Sequence, residues 1–376
     1  MKIFLITIVS LFLAASGLKG QTETYILKRE VYNPGVSCIS FSPDGKLLLA
    51  GFTDGSFRVL DPVTFQPSLE VSDAHSKAIT AIDMPPKMDF ILTAGDNTIR
   101  LWNREGRHIG NFSGHATTIW NVDISNDGKY AVSSAFNKTF LLWDVYNGVV
   151  AEFMRGHEDI TLAVCISPDN RLIASGSDDL TVKLWDLNTH QLLGTLHGPT
   201  QGVYDVAFSP DSKLLAVASR EKTVRIYNVE EEKLVHILNG HRGPVRKVAF
   251  SPDGRYLASV SEDKTMILWD ICSGEKIHTF PDNEEILLDV EFHPDGGSLY
   301  SVSKAGDLTR WEIHPEIFVL RYFSEPYLAE LSDSLFLPRQ QGESRKDFQV
   351  REAEAFEKKA GIIEKYYRQY LQERGK

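Results

Sequence analysis

A chain of 376 residues, 42% hydrophobic and 24% charged, has an ordinary globular composition. Its formal net charge of −11 gives a surface that repels phosphate backbones, which argues against generic nucleic-acid binding. After the first twenty residues no stretch approaches the ~18 apolar residues that a spanning helix needs, so no integral membrane segment is predicted.

The chain starts with a basic residue, Lys2, followed by an almost continuous apolar run from Ile3 to Leu13 and by the small residues Ala14, Ala15, Ser16 and Gly17. Residues 1–20 therefore read as a secretory signal peptide. The expected location is exported, periplasmic or secreted. Cys38, Cys165 and Cys272 are odd in number and fall in separate repeats, so they suggest no disulfide framework.

From residue 21 to 313 one interval governs the sequence. Leu60, Trp102, Trp143, Trp185, Tyr227, Trp269 and Trp311 recur in steps of 42 residues, with a single step of 41. An acidic or amide residue follows each of them. A period of this size marks supersecondary units that stack to share a core. The sixth unit is the plainest. Its β-rich run through Val245, Val248 and Phe250 reads as strand a. The Ser251-Pro252-Asp253-Gly254 turn follows, then strand b from Tyr256 to Val260 and strand c from Thr265 to Ile271. After Ser273-Gly274, strand d begins at Lys276. One such sheet cannot bury both its faces, whereas seven arranged radially can. The segment Thr24 to Val31 sits where strand d sits elsewhere and is expected to close the ring, with Ile317 to Leu320 as the competing candidate.

Several signals keep phase over these units. A Gly-His pair stands at 114–115, 156–157 and 240–241, and a Trp-Asp pair at 143–144, 185–186 and 269–270. On these residues the chain resembles the WD40-repeat propellers. The resemblance implies an all-β, seven-bladed propeller closed by the N-terminal strand, with a short C-terminal helical tail. It also implies buried His–Ser/Thr–Asp–Trp tetrads. The matching sets are His75, Thr93, Asp96, Trp102; His157, Ser175, Asp179, Trp185; and His241, Ser259, Asp263, Trp269. A fourth, His115, Ser133, Asn137, Trp143, has an amide for the acid. Repeats one, five and seven depart from the pattern and are expected to be looser.

Propellers of this kind bind through the face where the d–a and b–c loops emerge. The loop positions Trp120, Phe136, Leu162, Tyr204, Arg220, Arg246 and Glu262 combine aromatic and arginine side chains in the composition of a binding hot spot. They are the expected partner face, and the expected partner is a protein or peptide. No metal signature, nucleophile elbow, Walker A or dinucleotide glycine pattern is present, so neither catalysis nor a cofactor is expected. The alternative is a propeller enzyme or small-molecule binder with a central-channel site, which a channel cluster of carboxylates beside an empty polar pocket would favour.

Residues 314–376 form no repeat. Pro338 to Gly342 reads as a break, and Ser344 with Asp347 as a capping box that opens an amphipathic helix over about 345–373. Its stripe is Phe356, Ala360, Ile363, Tyr367 and Tyr370. The stripe either packs on the propeller or docks a partner.

Overall fold

The computed structural model describes residues 25–85, 90–280, 284–331, 334–336 and 343–374. Residues 1–20 (expected to be a signal peptide), Asp282-Asn283 and the expected break at Pro338 to Gly342 lie outside the described residues. Among the described residues the strands form seven four-stranded sheets. Within each sheet every neighbouring pair is antiparallel, as in blade six, where a (Val245–Phe250), b (Tyr256–Ser261), c (Met266–Asp270) and d (Glu275–Phe280) meander outward.

The turns between these strands follow from the sequence. In the a–b turn of blade six Ser251 Oγ donates to Asp253, and Gly254 adopts a φ of +71° that a side chain would disfavour. The alternation of each strand then buries one set of side chains against each neighbouring blade. The cores accordingly lie between blades. One joins Leu92 and Leu101 of blade two to Val122 and Leu141 of blade three, and another joins Ala218 and Ile226 of blade five to Val248 and Trp269 of blade six.

The last sheet draws on both ends of the propeller. Blade seven contributes a (Leu287–Phe292), b (Ser298–Ser303) and c (Asp307–Glu312), and Ile26–Val31 pairs antiparallel with strand c from Ile26↔Trp311 to Val31↔Asp307. Residues 317–320, the rival for this place, are helical. A core of Val36, Ile39 and Phe52 from blade one with Tyr300, Val302 and Leu308 from blade seven seals the junction.

His314 onward belongs to a second compact unit. Helix α1 (Pro315–Tyr322) starts at His314, whose side chain accepts the Glu316 N–H, and places Pro315 where its missing donor is harmless. Helix α2 (Ser324–Glu330) follows, and α3 runs over Arg345–Arg374. Ser344 Oγ accepts the Asp347 N–H at 3.1 Å and caps α3. The buried face of α3 is Ile362, Ile363, Tyr366 and Tyr370, which gather with Val319 and Phe318 of α1 and Tyr327 of α2. Ile363, Tyr367 and Tyr370 of the expected stripe are on this packed side, and its first two positions are corrected. Phe356 is exposed and so is Ala360, because α1 and α2 engage only the C-terminal half of α3. The apolar face is used within the tail itself.

Candidate functional site: the loop face and the central channel

The His–Ser/Thr–Asp–Trp sets differ in how fully they assemble. In blade four Trp185 Nε1–H donates to Ser175 Oγ at 2.8 Å, Ser175 Oγ lies 2.8 Å from His157 Nε2, and His157 Nδ1 lies 2.8 Å from Asp179. The carboxylate fixes the proton on Nδ1, so Nε2 accepts from the hydroxyl. Asp179 also accepts the Glu158 N–H and the Thr181 hydroxyl. Blade six repeats this with His241, Ser259, Asp263 and Trp269. Burial alone would raise the Asp263 carboxyl, but the bonds from His241, Thr265 and the Arg242 N–H outweigh it and hold the group well below the usual range.

Blades two and three are incomplete. His75, Thr93 and Trp102 bond as expected, yet His75 Nδ1 stays 3.5 Å from Asp96 without a hydrogen bond. The cause is a turn one residue shorter. Three positions separate Thr93 from Asp96 where four separate Ser175 from Asp179, and Asp96 is left at a φ of +38°. In blade three His115, Ser133 and Trp143 connect, but Asn137 turns its side chain to the Thr139 N–H, and His115 Nδ1 has no partner. Burial lowers both imidazoles to about 4, so both are neutral at physiological pH.

Blade five, expected to be loose, has its own network. Glu221 takes the place of the turn aspartate and accepts from the Thr200 N–H and hydroxyl, the Thr223 hydroxyl and Arg225. Tyr227 replaces the tryptophan and donates to the His197 carbonyl at 3.1 Å.

None of these groupings is arranged for nucleophilic chemistry. The Ser175 hydroxyl is fully buried and already accepts an indole N–H. A hydrolytic serine needs a free, accessible oxygen.

On the loop face the expected residues fall into two groups. Trp120 and Phe136 of blade three meet edge to face with centroids 5.1 Å apart, and Phe136 is 47% exposed. Across blades four to six runs an unbroken chain. Asp178 pairs with Arg220 at 3.3 Å, and the Arg220 guanidinium lies 4.7 Å from the Tyr204 ring. The Arg246 guanidinium lies 4.4 Å from the same ring and pairs with Glu262 at 2.5 Å. Charges along this chain cancel, and each guanidinium is held in place before any partner arrives. Asp178 stands at a loop position of this same face, and its pair with Arg220 crosses from blade four to blade five. Leu162 is a correction. It is 2% exposed and packs inside blade four, since an aliphatic side chain at this place in strand a turns to the core.

The innermost strands carry a second cluster that the sequence reading missed. Reading the third residue of strand a around the ring gives Asp205, Lys247 and Asp289 on blades five, six and seven, and the fifth gives Glu291, Asp83 and Asp123 on blades seven, two and three. Lys247 Nζ lies 3.2 Å from Asp205. Burial opposes its charge, but Asp205, Asp289 and Glu291 together raise its pKa above the ordinary lysine value. The four aspartates are engaged with neighbouring blades. Asp205 accepts the Val248 N–H at 3.0 Å, Asp289 the Ile39 N–H at 2.9 Å, and Asp123 the Ile166 N–H at 2.6 Å. Asp83 accepts the Ser40 hydroxyl. These bonds clip one blade to the next, which is a structural use of the channel. No group of three or more metal-ligating side chains occurs among the described residues.

The family model described as "WD domain, G-beta repeat" matches residues 25–61, 66–103, 106–144, 148–186, 190–228 and 232–270. The chain belongs to the WD40 family. Strands a to c of blade seven lie outside the matched ranges, and the 42-residue period and the sheet pairing supply that blade. Among curated proteins the chain is similar to the LEC14B protein of Lithospermum erythrorhizon, 31% identical over 121 residues, covering 30% of this chain and 25% of that protein. It is also similar to the U4/U6 small nuclear ribonucleoprotein PRP4 of Saccharomyces cerevisiae, 33% identical over 116 residues, covering 29% and 25%. A third relative is the Periodic tryptophan protein 2 of Arabidopsis thaliana, 25% identical over 191 residues, covering 38% and 21%. The matched segments thus span a quarter or less of each relative's length. WD40 propellers are typically protein-interaction scaffolds, and no helix among the described residues is long and apolar enough to cross a membrane.

Proposed function

We propose that this WD40 propeller is an exported, non-catalytic scaffold that holds a protein or peptide on the loop face of blades three to six. One observation carries the reading. Trp120 and Phe136 form a partly exposed aromatic pair at loop positions where no tetrad requires an aromatic side chain. Beside them stands the Asp178–Arg220–Tyr204–Arg246–Glu262 chain, whose fixed guanidiniums lose little freedom on binding. Aromatic and arginine side chains of this kind dominate binding energy at protein interfaces. Asp205, Asp289 and Asp123 of the channel are already engaged with backbone amides of the next blade, which favours this reading over a channel ligand. Export rests on the basic, apolar and small-residue pattern of residues 1–20.

The test compares what immobilised variants retain from the native envelope and secreted fractions. Trp120→Ala with Arg246→Ala is expected to lose a partner that the parent retains, since a truncated hot-spot residue costs about 2 kcal/mol or more, roughly thirtyfold in affinity. Thr53→Ala with Lys304→Ala, on the same loops of blades one and seven, is expected to keep it. Loss by the control and retention by the Trp120 variant overturns the assignment. Mass spectrometry of the N-terminus of the exported protein checks cleavage near residue 20.

A further inference from the structure

The chain has six tryptophans, and five of them share one use. Trp102, Trp143, Trp185, Trp269 and Trp311 each donate the indole N–H to a strand-b hydroxyl at 2.7 or 2.8 Å. Trp120 departs from them. It is only partly buried, on the loop face, and its N–H has no acceptor among the described residues. A donor is thus left open to a ligand where the indole ring already meets Phe136.

The surroundings of this aromatic pair are acidic. Strand a of blade four starts between two b–c turns. On one side the Thr161 N–H donates to the Asn137 carbonyl, and Ser134 Oγ donates to the Leu162 carbonyl. On the other the Asp178 N–H donates to the Ile160 carbonyl. Phe136 and Asp178 therefore flank the same segment, Ile160–Leu162. Just before it stand Glu158 and Asp159, both exposed and neither paired with a cation among the described residues. Burial pushes the Asp178 carboxyl up, Arg220 pulls it back, and the nearby Asp159 adds to the rise. With Asp179, these carboxylates outnumber the cations of the corner, Lys138 and Arg220.

Resting on the loop-face reading above, we propose that the partner is a peptide segment that places a basic side chain in this corner. The side chain lies on the Trp120–Phe136 rings with its charge toward Asp159 and Asp178, and a neighbouring peptide carbonyl accepts the Trp120 N–H. Aromatic rings attract a cation through their negative faces, and carboxylates beside them hold its charge. An acidic side chain here would meet like charge. Arginine is favoured over lysine, because its planar group both stacks on rings and forks onto a carboxylate. Arg220 and Arg246 leave room for this further cation, being held over Tyr204 on blade five.

Random dodecapeptides displayed on phage and selected on the immobilised full chain test the proposal. The retained sequences are expected to share an arginine or lysine. A synthetic copy of one is expected to bind about tenfold more weakly when that residue is norleucine. Glu158→Gln with Asp159→Asn is expected to melt like the parent and to lose most of this difference. Trp120→Ala with Arg246→Ala is expected to retain neither peptide. Peptides that need Trp120 but carry no basic residue overturn this inference and leave the loop face standing. So does a norleucine peptide that binds as tightly, or a difference that Glu158→Gln with Asp159→Asn leaves unchanged. No enrichment at all, or peptides held equally by Trp120→Ala with Arg246→Ala, overturns both the inference and the face.

Discussion

His157 Nδ1 and the Asp179 carboxylate lie 2.8 Å apart, and each is bonded again on its far side. Removing the carboxylate strands the buried imidazole N–H. Asp179→Ala is therefore expected to cost about 1–3 kcal/mol of stability, read as a lower midpoint in denaturant. Asn137→Ala, the equivalent change in blade three, removes a side chain that never reaches His115 and is expected to cost clearly less. Equal losses would mean that the blade-four network adds nothing beyond packing.

The ring closes on a close backbone approach. Gly306 has a φ of +90°, and a Cβ there would sit 2.3 Å from the Gly35 Cα. Gly306→Ala is expected to destabilise the chain by well over 1 kcal/mol, because it combines a left-handed backbone with a clash against main chain that cannot swing away. Truncation through Val31, which removes the outer strand of blade seven, is expected to give aggregation or a large fall in melting temperature. A truncated chain that melts like the parent would show that Ile26–Val31 is dispensable.

Burial and the charge of Asp83 push the Asp123 carboxyl up to about 7, against roughly 3.9 in an unfolded chain. The fold thus prefers the protonated form. The stability gained is complete below about pH 4 and is lost as pH rises through about 7. The buried imidazoles of His75 and His115, lowered to about 4, run the other way. Their contribution is present above about pH 6.5 and falls as pH drops toward 4. Asp123→Asn separates the two trends, since the amide oxygen still accepts the Ile166 N–H and never ionises. Relative to the parent this variant is expected to gain stability between pH 5 and pH 8 in thermal melts. A constant difference between the two proteins at both pH values would rule the channel out as the source.

In the tail, Glu316 is buried, accepts the Tyr327 hydroxyl and pairs with Lys359 at 3.1 Å. Lys359→Met withdraws a cation from a buried carboxylate, a change that costs up to about 3–5 kcal/mol in a dry interior. Lys365→Met, at the exposed pair with Glu330, is expected to change stability by about 0–1 kcal/mol. Melting followed at 222 nm, where the helices dominate, should show an early helical transition for Lys359→Met alone.

How far the fold could be read in advance depends on which features repeat along the chain. The 42-residue period, the turn residues and the Trp positions are local, and each blade restates them. They were enough to place the seventh blade that the family model leaves out. Features that depend on two blades at once were harder. The channel column Asp205–Lys247–Asp289 emerges only when equivalent positions of successive repeats are compared, and the Asp178–Arg220 pair likewise crosses a blade boundary. The missing residue between Thr93 and Asp96 was countable, and with it goes the unmade His75 bond, Asp96 being taken up instead by Ser76 and Thr98. Leu162 was misjudged because a loop-face position was assigned by offset, while an aliphatic side chain there follows the core. Ile363, Tyr367 and Tyr370 of the tail stripe pack against α1 and α2, while Phe356 and Ala360 do not. The reach of α1 and α2 could not be read in advance, because both are short and carry little periodicity.

The pairing of Ile26 with Trp311 has a consequence in time. The strand that completes the last blade is made first and must wait for nearly the whole propeller to follow. At roughly 5–20 residues per second of synthesis, that wait is on the order of tens of seconds. Blades one to six gather from contiguous segments and can assemble in order as the chain emerges, since each draws its four strands from one stretch. The final join is the single step of highest sequence separation, and by the relation between topology and speed it should set the pace of folding. Until it happens, an edge of Ile26–Val31 and an edge of Asp307–Glu312 both stand open. Lys28, Arg29 and Glu30 then act as a guard on the unfinished protein, keeping its earliest strand soluble until its partner exists.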